Sequence, residues 1–210
     1  YRVLLLDVWR EACRHIEIGE SCATIASLLQ PHLPLGQLLV RRLDGERGYI
    51  ETVAAGLANS ASGLAEVRSE CSEEQRRAVV AWSGRGDLTR RSETPPKDAA
   101  MAALVPPKVS GDLVAGPLGE PGSPSGVLIV VAAHGARFES CHLDLVRLLL
   151  EPFSVAMEND RRLREMAALR EAAEADKRSL LTRLGRKAIG DTVVGADSGL
   201  HMVMDRVELV

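Results

Sequence analysis

Between Glu139 and Leu184 almost nothing interrupts a helix: the stretch holds no glycine and a single proline, Pro152. A proline inside a helix removes one N–H and crowds the preceding turn, so Pro152 predicts a kink rather than an end. Alternating steps of three and four run Leu145, Leu149, Pro152, Ala156, Asn159, Leu163, Met166, Arg170, Ala173, Lys177, Leu180 and Leu184, and eight of these twelve are Leu, Met or Ala. The seam is weakest in its middle. Its first third is best explained by packing on a sheet. The remainder, rich in Arg and Glu, suits a parallel pair of helices in a homodimer, with a solvated single helix as the other reading. Gly185 and Gly190 are expected to break the helix.

Any fold for this chain must root that helix in a core built by the residues before it. Residues 1–15 carry an approximate helical stripe of Val3, Leu4, Leu6, Val8 and Ala12, and a second helix is expected from Ile18 to Leu29, stopped by Pro31 and Pro34. Leu35 to Leu43 reads as a strand, Asp44-Gly45 as a hairpin turn, and Tyr49 to Ala55 as the partner strand. Residues 56–69 are small and polar, a loop. Ser72, Glu73 and Glu74 look like a helix start, and the helix would run through Trp82 to Gly84 or Gly86. Residues 83–100 read as loop. Two further strands, Asp112–Leu118 and Gly126–His134, flank the turn material of Gly119 to Ser125.

Composition limits what such a chain can do. A hydrophobic fraction of 46% fills a core, but aromatics are 3%, so that core is Leu, Val, Ile and Ala. A net charge of −3 provides no basic footprint for phosphates, which argues against direct nucleic-acid binding. No apolar run approaches the ~18–20 residues that a bilayer requires, so no membrane partner is expected. Cys13, Cys22, Cys71 and Cys141 are dispersed without CxxC spacing. They read as reduced thiols, and the expected localisation is cytoplasmic. The opening on Tyr1 shows no signal peptide and suggests a piece of a longer protein.

The last twenty residues begin something new. Val194-Gly195-Ala196-Asp197-Ser198-Gly199-Leu200, then Val203-Met204 and Val207-Glu208-Leu209-Val210, form an amphipathic segment that Asp197 or Ser198 could cap. This segment resembles the opening of the AAA+ domain in sigma-54-dependent transcriptional activators of the Fis family, and looks closest to the formate-hydrogenlyase-activator branch, whose regulators begin with GAF sensor domains. The element order of the first 160 residues (helix, helix, hairpin, helix, strands, long helix) resembles a GAF domain. The resemblance implies an α/β (α+β) fold with a central antiparallel sheet of five or six strands flanked by helices, followed by a long signalling helix. It divides the chain into a sensor (1–160), a coiled-coil-like linker (161–190) and the edge of an ATPase domain (191–210). It further implies an unknown small-molecule effector, with sigma-54 RNA polymerase and enhancer DNA as partners only through domains outside this chain. The chain contains no GxxxxGK[ST], so no ATP chemistry is expected within it. The competing readings are a dimerisation module without effector, and a small redox enzyme like the free methionine sulfoxide reductases.

No catalytic residue, metal or cofactor is expected. Cys141 and His142 are neighbours on a helix and diverge by about 100°; they read as a buried thiol beside a partly exposed His. Cys13, His15 and Cys22 lack ligand spacing. Cys71, at a helix start, is the one thiol a helix dipole would favour. An anionic effector calls for Arg or backbone amides. Arg41 and Arg42 are adjacent on a strand and point to opposite faces. The candidate ligand-binding residues are Arg41, Arg77, Trp82, Arg85 and His134. Against this, the arginines also read as solvated surface residues and Trp82 as core.

Overall fold

The computed structural model describes residues 1–14, 18–44, 48–57, 68–92, 98–120, 123–192 and 205–206. His15, the Gly45 half of the hairpin turn, the middle of the Gly119–Ser125 turn and nearly all of the AAA+-like segment lie outside the described residues. The chain divides into two units, Tyr1–Arg161 and Arg162–Val210.

Two N-terminal helices open the first unit. Helix α1 (Arg2–Arg14) buries Leu4, Val8, Glu11 and Ala12 along one stripe. Helix α2 (Ile18–Leu29) buries Ile18, Ser21, Cys22, Ile25, Ala26 and Leu29. Strands β1 (Leu35–Asp44) and β2 (Tyr49–Leu57) form the expected hairpin. Next come β3 (Arg68–Glu70), helix α3 (Glu73–Gly84), β4 (Thr89–Arg91), the short helix α4 (Ala99–Leu104), β5 (Leu113–Glu120) and β6 (Ser123–Ala132). The start of α3 is a capping box. Ser72 Oγ accepts the Gln75 N–H at 3.2 Å, and Gln75 Oε1 accepts the Ser72 N–H at 2.9 Å.

The six strands form one antiparallel sheet in the order β3-β2-β1-β6-β5-β4. Both edges are strands of three residues, which leaves little backbone open for edge pairing. Strand β6 sits centrally and is covered on both faces, which explains its continuous apolar run. Leu128 and Val130 face α1, α2 and helix α5 (Ser140–Thr192). Val127, Ile129 and Val131 face α3 and α4. The fold is therefore the mixed α and β arrangement expected, with six strands.

Three expectations need correction. Residues 68–70 and 89–91 are strands, and 99–104 is a helix, where the sequence suggested loop. The long helix passes Gly185 and Gly190 and ends at Thr192. A helical glycine costs only about 1 kcal/mol, too little by itself to stop a helix. Cys141 is exposed rather than buried. Helix α5 also continues through Pro152, whose neighbours Leu149, Phe153 and Ala156 are fixed in the core. Thus Leu145, Leu149 and Ala156, the first third of the seam, pack under the sheet. From Arg161 to Arg183 every residue is exposed, including Leu163, Met166, Leu169, Leu180 and Leu181. Among the described residues no helix is long and apolar enough to cross a membrane.

Candidate functional site

On the α3 side of the sheet, a cleft of about 210 Å³ opens between α3, the far end of the β1–β2 hairpin and the start of β6. Leu43 and Ile50 come from the hairpin, Val79 and Val80 from α3, and Pro124 from β6. Polar groups enter from Asp44, Cys71, Arg76 and Ser123. Helical spacing explains the α3 contribution. Arg76, Val79 and Val80 share one face of the helix, three and four residues apart. The volume lies below the ~300–1,000 Å³ of drug-sized sites, so the cleft suits a small metabolite.

The charge in this cleft is already partly committed. Arg76 binds Glu73 in a fork, with Nε to Oε2 at 2.9 Å and Nη2 to Oε1 at 2.8 Å. Cys71 is half-buried, and burial pushes its thiol up; Arg76 pulls it down and Glu73 pushes it up, without reversing the direction. That is opposite to what a nucleophilic thiolate requires. Cys22 lies buried on the opposite face of the sheet, while Cys13 and Cys141 are exposed, and all four thiols are free. Cys71 therefore has no companion thiol in the cleft.

None of the five candidates named from sequence lines this cleft. Arg41 is fully buried beneath α4. Its Nη1 donates to the carbonyls of Leu104 at 2.6 Å and Ala103 at 3.4 Å, and its Nη2 to Ser69 Oγ at 2.7 Å and the Ile50 carbonyl at 3.2 Å. A cation at the C-terminus of α4 satisfies carbonyls that the helix leaves open. Arg77 points to solvent with 75% of its side chain exposed, 3.6 Å from Glu73. Trp82 is core, and its Nε1 donates to Thr89 Oγ1 at 2.8 Å, tying α3 to β4. Arg85 is an exposed residue at the C-cap of α3. His134 is exposed in the turn after β6. Arg76 and Arg77 are chemically identical neighbours in the sequence, and only the rotation of α3 separates the one that lines the cleft from the one that faces solvent. Among the described residues no group of His, Cys, Asp and Glu is arranged to hold a metal ion.

No protein-family model matches the chain, and no curated protein matches it either. Solved structures do. The GAF domain of an Acinetobacter phosphoenolpyruvate-protein phosphotransferase matches with a TM-score of 0.56 at 15% identity, covering 76% of this chain and 93% of that one. The free methionine-R-sulfoxide reductase from Neisseria meningitidis, in complex with its substrate, matches with a TM-score of 0.55 at 16% identity, covering 78% and 91%. The phycoerythrobilin-bound GAF domain of a cyanobacterial phytochrome matches with a TM-score of 0.55 at 12% identity, covering 78% and 100%. At these identities the likeness establishes architecture, and chemistry has to be argued from the site. The six-stranded antiparallel sheet, the helices on its two faces and these neighbours together show that the chain carries the GAF fold.

Proposed function

We propose that residues 1–160 sense a small molecule bound in the cleft under α3 and pass its occupancy to α5. One observation carries this reading: the cleft and the root of α5 lie on opposite faces of one sheet. An effector that favours one arrangement of the hairpin end and α3 shifts the population of arrangements in the sheet, and so at the helix root. The apolar exposed residues of α5 beyond Arg161 suit a two-helix seam in a homodimer. The resemblance of Val194–Val210 to an AAA+ opening supports the further reading that the output is a sigma-54-dependent activator's ATPase. The cleft contains no activated thiol pair, which favours a sensor over a redox enzyme.

Thermal-shift screening tests the sensor reading with formate, other small carboxylates, nucleotides and redox metabolites as probes. A compound present at about 100 times its Kd stabilises the folded state by about 2.7 kcal/mol. For a domain of this size that raises Tm by about 5–10 °C. Val80→Trp fills the cleft from a half-exposed position and is expected to abolish the response. If no probe raises Tm, the empty dimerisation module becomes the better reading. The coding sequence beyond Val210 tests the regulator assignment: a GxxxxGK[ST] within about 10–15 residues is expected, and its absence would remove that assignment.

A further inference from the structure

Three consecutive residues of β1 reach three parts of the sensor unit. Arg41 clamps the end of α4, Leu43 lines the cleft, and Arg42, on the other face of the sheet, lies 3.6 Å from Asp160 of α5. Arg42 also donates to Glu51 Oε2 at 2.6 Å, directly opposite it on β2. Glu51 in turn lies 3.6 Å from Arg68 of β3. The Arg68 guanidinium stacks 4.1 Å above the ring of Tyr49, a residue that lines the cleft. A continuous path therefore runs from Tyr49 through Arg68, Glu51 and Arg42 to Asp160.

The links are unequal. Arg42 and Glu51 are in hydrogen-bond contact, whereas 3.6 Å from Arg42 to Asp160 is longer than a hydrogen bond. Asp160 is 4% exposed, and it is the last buried residue of α5 among those whose side chains are described. Attraction in so buried a place is little screened by salt. The helix also comes close here. Gly126 pairs with Arg42 across β6, and a Cβ at Gly126 would meet Met157 Cε at 2.9 Å. A displacement of about an ångström at the hairpin end is enough to close the Arg42–Asp160 gap to a charge-assisted hydrogen bond or to open it entirely.

We propose that Arg42, Glu51, Arg68 and Asp160 form an electrostatic relay, coupling the cleft end of the β1–β2 hairpin to the last anchored turn of α5. The relay gives the sensor reading its transmission step and rests on that reading. Its test needs no effector. In the chain carrying Cys13→Ser and Cys141→Ser, methyl methanethiosulfonate converts Cys71 to its S-methylthio adduct inside the cleft, and mass spectrometry verifies that Cys22 is unmodified. Hydrogen exchange is then measured at the amides of residues 157–164 with and without the adduct. The adduct is expected to change exchange there by about threefold or more, as a shift in local opening. In Arg42→Met, and separately in the milder Asp160→Asn, the adduct still perturbs the hairpin, but the α5 response is lost. Circular dichroism verifies that each variant is folded. An α5 response that survives both substitutions, or that is missing without them, overturns the relay. A failed effector screen beside an intact α5 response would instead sink the sensor reading and leave the relay standing.

Discussion

Replacing Gly56 with alanine tests how tightly α2 is seated on the sheet. A methyl at this position of β2 would lie 2.6 Å from the Cys22 carbonyl oxygen and 2.6 Å from Ala26 Cβ. Neither can rotate aside, because one is helix backbone and the other is the first carbon of a side chain. To reach ordinary van der Waals separation, α2 must retreat by roughly an ångström. That retreat loosens Cys22, Ile25, Ala26 and Leu29, all essentially inaccessible to solvent. Overpacking of this kind costs about 1–3 kcal/mol, and a backbone clash belongs in the upper half of that range. The loss of glycine's freedom in the unfolded chain stabilises by only about 0.4–1 kcal/mol and cannot cancel it. The net loss is about 1–2.6 kcal/mol, and at about 2–4 °C per kcal/mol calorimetry is expected to show Tm lowered by about 2–10 °C. A second readout comes from the same contact. Burial pushes the Cys22 thiol up from 9.0 to about 12, offset in part by its backbone hydrogen bond with Gly56. With the three other cysteines changed to serine, Cys22 is expected to react about tenfold faster with Ellman's reagent in Gly56→Ala, since opening limits a buried thiol. A melting point within about 1 °C of the parent, with an unchanged thiol rate, would refute the reasoning: α2 would then have shifted at no cost.

Other expectations follow from single contacts. Burial alone would raise the Asp112 carboxyl, but the Arg90 fork at 2.9 and 2.8 Å, the Phe138 N–H at 2.7 Å and the charges of Arg90 and Arg137 outweigh it and hold it below 3.8. Its contribution to stability is present above about pH 3.8 and lost as pH falls through the folded value. Melting curves between pH 5 and 2 should therefore show an acid limb that shrinks in Asp112→Asn; an identical limb would exclude Asp112 as its source. The adjacent Arg91 contrasts with Arg90. Its Nε is buried without an acceptor, its Nη2 donates to the Val109 carbonyl at 3.1 Å, and burial lowers its guanidinium. Arg91→Met is expected to leave stability unchanged within about 1 kcal/mol or to raise it, whereas Arg90→Met lowers it; denaturant titration of both decides. Sedimentation equilibrium tests the α5 seam. The chain is expected to run as a dimer and Met166→Glu with Leu180→Glu as a monomer, so a monomeric parent would sink the pairing.

Much of the architecture was legible because it is written in neighbouring residues. Pro31 and Pro34 end α2 where expected, Ser72 and Gln75 cap α3 within one turn, and the apolar run of β6 announces a strand covered on both faces. The missed elements are short. Strands β3 and β4 have three residues each and α4 has six, so their own preferences are weak and their conformation is set by what they pack on or pair with.

The functional surface was less legible for a related reason. Arg41 and Arg42 could be assigned to opposite faces by alternation alone, but not that one would hold the end of α4 and the other would approach Asp160, more than a hundred residues away. By itself the sequence determined which of the longer segments become helix or strand and that a long helix must root in the sheet, since these depend on residues within a turn of one another. Tertiary structure alone decided that Arg76 rather than Arg77 enters the cleft and that Trp82 is core. It did so because strand register and helix rotation are fixed by packing across the whole domain, and adjacent residues of like chemistry differ only in the direction they face.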